Sequence, residues 1–233
     1  MTTTIRTSGT ASPTCDPAAS ITKSLLGYGV LAGPAYVGTW LAQALTRDGF
    51  DLTRHPASAL ANGNLGWIQT TNFTVTGLMT LAMAAGMRRA LRRGIGRRWA
   101  PRLVGVYGAS LLAAAAFRAD PVPGFPPGTP AQAEVSWHGV AHLAAGGVGF
   151  LSLVAACLLL ARRFAADGER GWAAWSGATG VTFLAAFVGI ASGSGSPASI
   201  VAFSVAVVVA WTWLSTLASR LYRDVTRTSQ QRA

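Results

Sequence analysis

The sequence predicts an all-α membrane protein in which six helices cross the bilayer. Three observations support this prediction: 51% of the 233 residues are hydrophobic, only 12% are charged, and the apolar residues are gathered into six long stretches. A soluble domain usually carries about twice that fraction of charge. A helix of roughly 20 apolar residues spans a hydrocarbon core of about 30 Å, and it satisfies its own backbone hydrogen bonds, which lipid cannot do.

The six predicted spans form one domain over residues 23–221. They lie near Leu25–Leu45, Trp67–Met87, Ala100–Arg118, Ser136–Ala161, Trp172–Ala191 and Pro197–Arg220. Residues 1–22 are rich in Thr, Ser and Pro and are expected to form a disordered cytoplasmic tail, with a basic cytoplasmic tail at residues 222–233. The Ala-Gln-Ala at positions 42–44 is typical of a signal-peptide cleavage site, but the apolar run before it is long, which favours an uncleaved first helix.

The basic residues predict how the helices are oriented. Of the 19 Lys and Arg residues, 16 flank one side of the predicted membrane domain, and seven of these lie in MRRALRRGIGRRWAPR between the second and third spans. Cytoplasmic loops are enriched in Lys and Arg, so we expect both termini in the cytoplasm and the protein in a bacterial plasma membrane. We expect these arginines to attract anionic lipid headgroups and not nucleic acid.

The opposite, outer side carries most of the unusual polar residues. The first outer loop, RDGFDLTRHPASALANGNLG, holds Asp51 and His55. The second, FRADPVPGFPPGTPAQAEVSWHG, holds Arg118 and Asp120, and we expect Arg118 to pair with a carboxylate of these loops. The two loops are the longest connections in the chain, so the outer side is where a polar site is expected.

Two spans present polar faces toward this side. Glu134, His138 and His142 are four residues apart and share one face of the fourth span, with His142 roughly 6 Å deeper than His138. On the second span Gln69 and Asn72 share a face, and we expect their amides to bond to the fourth span. The candidate outer-face cluster is therefore Asp51, Asn72, Asp120, His138 and His142, with His55, Gln69, Arg118 and Glu134 as secondary candidates.

The order of these motifs resembles the DUF998 family of bacterial and archaeal membrane proteins. The resemblance covers the chain from about Leu25 onward and rests on FDLTRHPASALANGNLGWIQTTNF, on the Asp-Pro after the third span, and on HGVAH at the start of the fourth. The matching positions are Asp51, Pro56, Ser58, Trp67, Asn72, Asp120, Pro121 and His138. The Leu-Gly common after the serine is Leu60 and Ala61 here. The resemblance implies about six spans, but no reaction, because the family's function is not established.

Two binding or structural functions fit the outer cluster. In the first, Asp51, Asp120 and His138 tie the two outer loops over the helices. In the second, a polar pocket between the second, third and fourth spans holds a lipid headgroup or a small solute. Transport is less favoured than simple binding, because the sequence has neither an inverted repeat nor a pair of broken helices.

The third function is a metal-dependent hydrolase at the outer membrane face. His138 and His142 are spaced to share one zinc-like divalent metal, with His55, Asp51 or Asp120 as a further ligand and Glu134 or another carboxylate as general base. HGVAH lacks the glutamate of the HExxH metalloprotease motif, so the pattern is not specific. Haem is disfavoured because two histidines on one helix cannot be opposite axial ligands. A serine hydrolase is disfavoured because the sequence has no G-x-S-x-G.

Overall fold

The fold is built from six α-helices and one short 3₁₀ helix. The structure, a computed structural model, describes residues 16–132, 135–193 and 195–231. The helices are α1 (Pro17–Thr46), the 3₁₀ helix (Ala57–Ala61), α2 (Gly66–Ala90), α3 (Trp99–Ala116), α4 (Trp137–Ala166), α5 (Arg170–Ala191) and α6 (Pro197–Gln230). These described ranges contain no β-strand, only one isolated bridge between Val122 and Phe125. The predicted all-α fold class is confirmed.

Each α-helix packs on its neighbours in the chain, and α6 returns to pack on α1. Every second connection along the chain therefore lies at the same end of the helices. At the arginine-rich end, which we define by residues 91–98, residues 167–169, the start of α1 and the last turns of α6, the Arg163 Nη1 atom donates to the Arg93 carbonyl at 2.5 Å. The opposite end, which we call the loop end, consists of residues 47–65, 117–132 and 135–136, with residues 192–193 and 195–196 between α5 and α6.

Four of the helices are long and apolar enough to cross a membrane: α1, α4, α5 and α6. This apolar character is that of a membrane protein. The helices α2 and α3 do not meet the same criterion within the described residues. In α2 the reason is a row of polar side chains, Gln69, Asn72, Thr76 and Thr80, all of which are buried against other helices. These four side chains lower the hydropathy of α2 while being buried themselves.

Two helices, α1 and α6, extend beyond the predicted spans by about two turns or more. The first begins at Pro17, because the Asp16 carboxylate accepts from Ala18 N at 2.9 Å and proline is well suited to the first helical position. Residues 17–22, expected in the tail, are thus helical, while residues 1–15 lie outside the described residues. The last helix runs to Gln230, and beyond the predicted end at Arg220 its residues Leu221 and Val225 still pack on the helical core.

Close contact between α1 and α6 depends on a glycine. A Cβ atom at Gly33 would lie 2.8 Å from the carbonyl oxygen of Trp211, so only glycine allows the two backbones to approach this closely. One turn further along α1, the Tyr36 ring stacks on the Trp211 ring with 4.7 Å between centroids. This contact anchors the buried aromatic core beneath the loop end.

Candidate functional site

The two long loops at the loop end share a small hydrophobic core of their own. It consists of Trp40 and Ala44 of α1, Ala59 and Leu60 of the 3₁₀ helix, and Phe125 of the second loop. Phe125 is 1% exposed although it lies in a loop. The loops therefore pack as a lid across the helix ends, and this lid positions the polar residues predicted from the sequence.

His55 joins the first loop to the second. Its Nδ1 atom accepts from Asp51 N at 2.9 Å, and its Nε2 atom lies 3.2 Å from the carbonyl oxygen of Pro123. These contacts assign the neutral tautomer that carries its proton on Nε2, since Asp51 N can only donate and Pro123 O can only accept. His55 is 4% exposed, and its ring packs against Phe50 and Phe125. Both ring nitrogens are used within the protein.

Asp51 closes a turn in the first loop. Its Oδ1 atom accepts from Thr53 N at 2.8 Å and from Thr53 Oγ1 at 2.7 Å. These hydrogen bonds, first of all the one from the hydroxyl, lower the pKa of Asp51 below its usual range. Because the pKa of Asp51 is lower in the folded state, its ionised carboxylate stabilises the fold at pH values above the ordinary pKa of aspartate. This stabilisation is lost as the pH falls through the folded-state pKa. The carboxylate is therefore ionised at neutral pH and fixes the turn that presents His55.

Arg47 is a member of this arrangement that the sequence reasoning did not select. Its Nη1 atom donates to Leu60 O at 2.5 Å and its Nη2 atom to Asn62 O at 2.6 Å. The guanidinium also lies over the Phe125 ring, 4.9 Å from its centroid. The sequence feature that could have identified Arg47 is the scarcity of basic residues in the two outer loops and their flanks. Only Arg47, Arg54 and Arg118 occur there, so each is a candidate for a specific contact.

Asp120 holds the second loop against the start of α4. Its Oδ2 atom accepts from Ser136 N at 2.9 Å, and its Oδ1 atom accepts from Ser136 Oγ at 2.5 Å. Ser136 is the N-cap of α4, and its Oγ atom accepts in turn from Gly139 N at 3.0 Å. A Cβ atom at Gly139 would overlap the Asp120 carboxylate. Loop and helix thus meet through a charged cap that also benefits from the positive end of the helix dipole.

The two histidines of α4 have different environments. His142 is buried, as its depth along the helix predicts, and its Nδ1 atom lies 2.8 Å from Phe117 O and 3.3 Å from Ala114 O at the end of α3. His138 is exposed and stacks on Trp137, with 3.6 Å between ring centroids. The His142 ring therefore ties α4 to α3, while the His138 ring lies on the surface beside another exposed aromatic side chain.

The amides of α2 bond to α1, and the expectation that they reach the fourth span was wrong. Gln43 Nε2 donates to Gln69 Oε1 at 2.8 Å, and Asn72 Nδ2 donates to the carbonyl oxygen of Tyr36 at 3.1 Å. Asn72 also lies 3.4 Å from Gln69 Oε1. The physical reason is helix order: α2 packs on α1 and α3, and α4 lies beyond α3. Gln43 is the partner that sequence reasoning missed.

The predicted cluster is thus distributed over separate contacts. Hydrogen bonds join Asp51 to His55 and Gln69 to Asn72, but no described hydrogen bond joins Asp120 or a histidine of α4 to these pairs. Arg118 is exposed and forms no ion pair among the described residues, so its expected pairing with an outer-loop carboxylate stays a prediction. Glu134 lies outside the described residues. The described part of the chain holds no group of three or more His, Cys, Asp or Glu side chains arranged to bind a metal ion.

Comparison with known families agrees with the resemblance predicted from the motifs. A family described as "Protein of unknown function (DUF998)" matches residues 30–220. No curated protein and no solved structure matches the chain. The match includes α2 to α5, both loops of the loop end and more than half of α1 and of α6, so it covers every residue of the loop-end contacts described above.

Proposed function

Since the chain belongs to the DUF998 family, we propose that it is a multi-pass plasma-membrane protein whose loop-end polar residues form a structural latch. We define the latch as Arg47, His55 and Asp120 with their hydrogen-bond partners. Its role is to hold both loops as a fixed lid over the helices. The observation that carries the proposal is His55, which is buried and uses both ring nitrogens to join one loop to the other.

Six spans with both termini in the cytoplasm are part of this proposal. At 1.5 Å per residue, α2 is roughly 37 Å long and α3 roughly 27 Å, close to the thickness of the hydrocarbon core. Both pack side by side with helices that are apolar enough to cross. The arginine-rich end supports a cytoplasmic location, because positively charged loops are retained on that side.

Replacing His55 tests the latch. His55→Ala leaves Asp51 N and Pro123 O without partners, and we expect it to lower the free energy of unfolding by about 1–3 kcal/mol. His138→Ala is the matched control, because it removes an imidazole from the same end that makes no hydrogen bond among the described residues. We expect it to change stability by about 0.5 kcal/mol or less. Denaturation in mixed detergent micelles, followed by tryptophan fluorescence, measures both values.

The same samples distinguish the latch from the metal-dependent hydrolase considered above. Elemental mass spectrometry of untagged protein gives the metal content of the wild type and of both variants. Stoichiometric zinc that disappears in His138→Ala, with stability unaffected in His55→Ala, would overturn the latch and establish the metal site. The contacts favour the latch, because the exposed His138 ring stacks on Trp137 and the described residues hold no third metal-ligating side chain beside this histidine pair.

A second candidate function, binding of a small uncharged polar group, is favoured by the buried amides below the lid. Gln43 Oε1, Gln69 Nε2 and Trp40 Nε1 are buried and have no hydrogen-bond partner among the described residues. Leaving such atoms unpaired in a membrane interior costs free energy. Together they offer two donors and one acceptor, which suits a hydroxyl or amide of a lipid headgroup or small solute.

Replacing both glutamines by leucine tests this binding site. If a polar molecule is held there, native mass spectrometry from mild detergent shows it bound to the wild type and lost from the Gln43→Leu, Gln69→Leu variant. Thr74→Val is the control, because its hydroxyl bonds only within α2. We expect each single variant to lose about 1–2 kcal/mol of stability. If the wild type retains no molecule, and the double variant loses less than the two single variants together, the two amides serve only to bond to each other.

A further inference from the structure

We propose that the arginine-rich end holds a specific binding pocket for the phosphate headgroup of an anionic phospholipid. The pocket has a volume of about 670 Å³ and lies between the end of α2 and the start of α3. Five arginines line it: Arg88, Arg92, Arg97, Arg98 and Arg102. No acidic residue is among its lining residues. This inference concerns the opposite end of the molecule from the latch and does not depend on it.

The charges in this pocket differ from the other charges at the same end. Arg220 forms a two-point ion pair with Glu169, with both N–O distances at 2.5 Å, and Arg163 lies 3.6 Å from Asp167. Arg88, Arg92 and Arg98 have no carboxylate partner among the described residues. The general preference of positively charged loops for the cytoplasmic side does not explain why the ion-paired arginines lie apart from the arginines without a carboxylate partner. A concave cluster of unpaired guanidinium groups matches the charge of a phosphate diester or monoester.

Two of the arginines are positioned by the protein. Arg97 Nη1 donates to the carbonyl oxygen of Arg92 at 3.0 Å, which folds the connection back on itself. The Arg102 guanidinium lies 5.3 Å from the centroid of the Trp99 ring. Both contacts leave further N–H groups for a ligand, since a guanidinium has five. The pocket therefore combines fixed donors with flexible ones.

The surroundings of the pocket favour a lipid over a nucleic acid or a free anion. Its remaining lining residues are apolar, Ala84, Ala85, Leu91 and Pro101. Trp99 and Ile95 beside it are 62% and 46% exposed. Exposed tryptophan is typical of the bilayer interface, so the pocket lies where headgroups lie and its apolar wall can contact an acyl chain. Basic pockets between helices on the cytoplasmic side bind anionic headgroups in this way.

Two double variants of the full-length protein test the proposal. Arg92→Gln with Arg98→Gln removes two charges from the pocket, and Arg162→Gln with Arg227→Gln removes two exposed charges from the same end outside it. Binding of phosphatidylglycerol is titrated in phosphatidylcholine nanodiscs and measured by native mass spectrometry. We expect the pocket variant to bind about 10- to 30-fold more weakly than the wild type, and the control variant to stay within about threefold.

Further measurements distinguish a phospholipid headgroup from other phosphate-containing ligands. Arg92→Lys with Arg98→Lys keeps the charge and is expected to retain most of the binding. Equal losses in pocket and control variants would overturn the pocket, because general attraction to charge would then explain the binding. Inorganic phosphate that binds as tightly as phosphatidylglycerol, or a single-stranded RNA that displaces it, would overturn the assignment to a lipid. Unchanged binding of phosphatidylglycerol by the pocket variant would overturn both the pocket and its assignment to a lipid.

Discussion

Asp120→Ala is expected to lower the free energy of unfolding by about 2–3 kcal/mol, among the largest effects of a single loop substitution in this protein. The carboxylate accepts from both the backbone N and the Oγ atom of Ser136, and hydrogen bonds to a charged acceptor contribute more than neutral ones. Its removal leaves Ser136 N without its partner and frees the second loop from α4. Unfolding in mixed detergent micelles measures the loss.

Asp48→Ala is the matched control for this experiment. Asp48 lies at the same end, is exposed, and makes no hydrogen bond or ion pair among the described residues. We expect its removal to change stability by about 0.5 kcal/mol or less. Asp120→Asn should fall between the two, because the amide oxygen keeps one acceptor without the charge. A loss in Asp48→Ala as large as that in Asp120→Ala would show that net charge at the loop end matters and the cap does not.

The fold was largely predictable because apolar segments of this length have few alternatives. The six predicted apolar segments overlap the helices α1–α6 in order. The helix α5 ends at Ala191 and α6 begins at Pro197, as the apolar pattern predicts. The ends at Pro17 and Gln230 were missed because hydropathy marks only the apolar part of a helix. Asp16 caps the start of α1, and the ion pair of Arg220 with Asp224 lies within the extended end of α6; both are polar contacts that hydropathy does not detect.

The partners of the polar residues were harder to predict than their identity. The sequence places Asp51, Asn72, Asp120 and His142 at one end, but it does not say which helix lies next to which. Asn72 bonds to α1 because α1 and α2 are adjacent. His55 joins the two loops, yet the sequence ranked it only as a secondary candidate. The reason is that its partner at Pro123 is a backbone carbonyl, which no sequence motif marks. Backbone acceptors account for most of what sequence reasoning missed at this end.

Those backbone contacts change the meaning of the histidine spacing. Imidazoles four residues apart on a helix can share a metal ion, and the same spacing also places one ring inside and one at the helix start. His142 satisfies its Nδ1 atom on carbonyls of α3, and His138 lies on the surface next to Trp137. The pattern was therefore compatible with metal binding and with packing, and the position of α3 beside His142 supplies the packing partner that the sequence could not identify.

Gly139→Ala is expected to destabilise the protein by about 2 kcal/mol, although alanine is the better helix former. The new Cβ atom would overlap the Asp120 carboxylate, which must move away from Ser136 to make room. Overpacking of this kind costs about 1–3 kcal/mol, more than the gain of up to about 1 kcal/mol in helix propensity. The same unfolding measurement in mixed micelles applies.

A double-mutant cycle shows whether Asp120 is the cause. In the Asp120→Ala background the carboxylate is gone, so Gly139→Ala should become neutral or stabilising by up to about 1 kcal/mol, and the interaction energy of the cycle should be about 2–3 kcal/mol. Gly171→Ala near the start of α5 is the control, because nothing lies within 4 Å of a Cβ placed there. Additive losses from Asp120→Ala and Gly139→Ala would mean that the glycine is required by some other neighbour. They would also remove the evidence that the second loop is held by its approach to the start of α4.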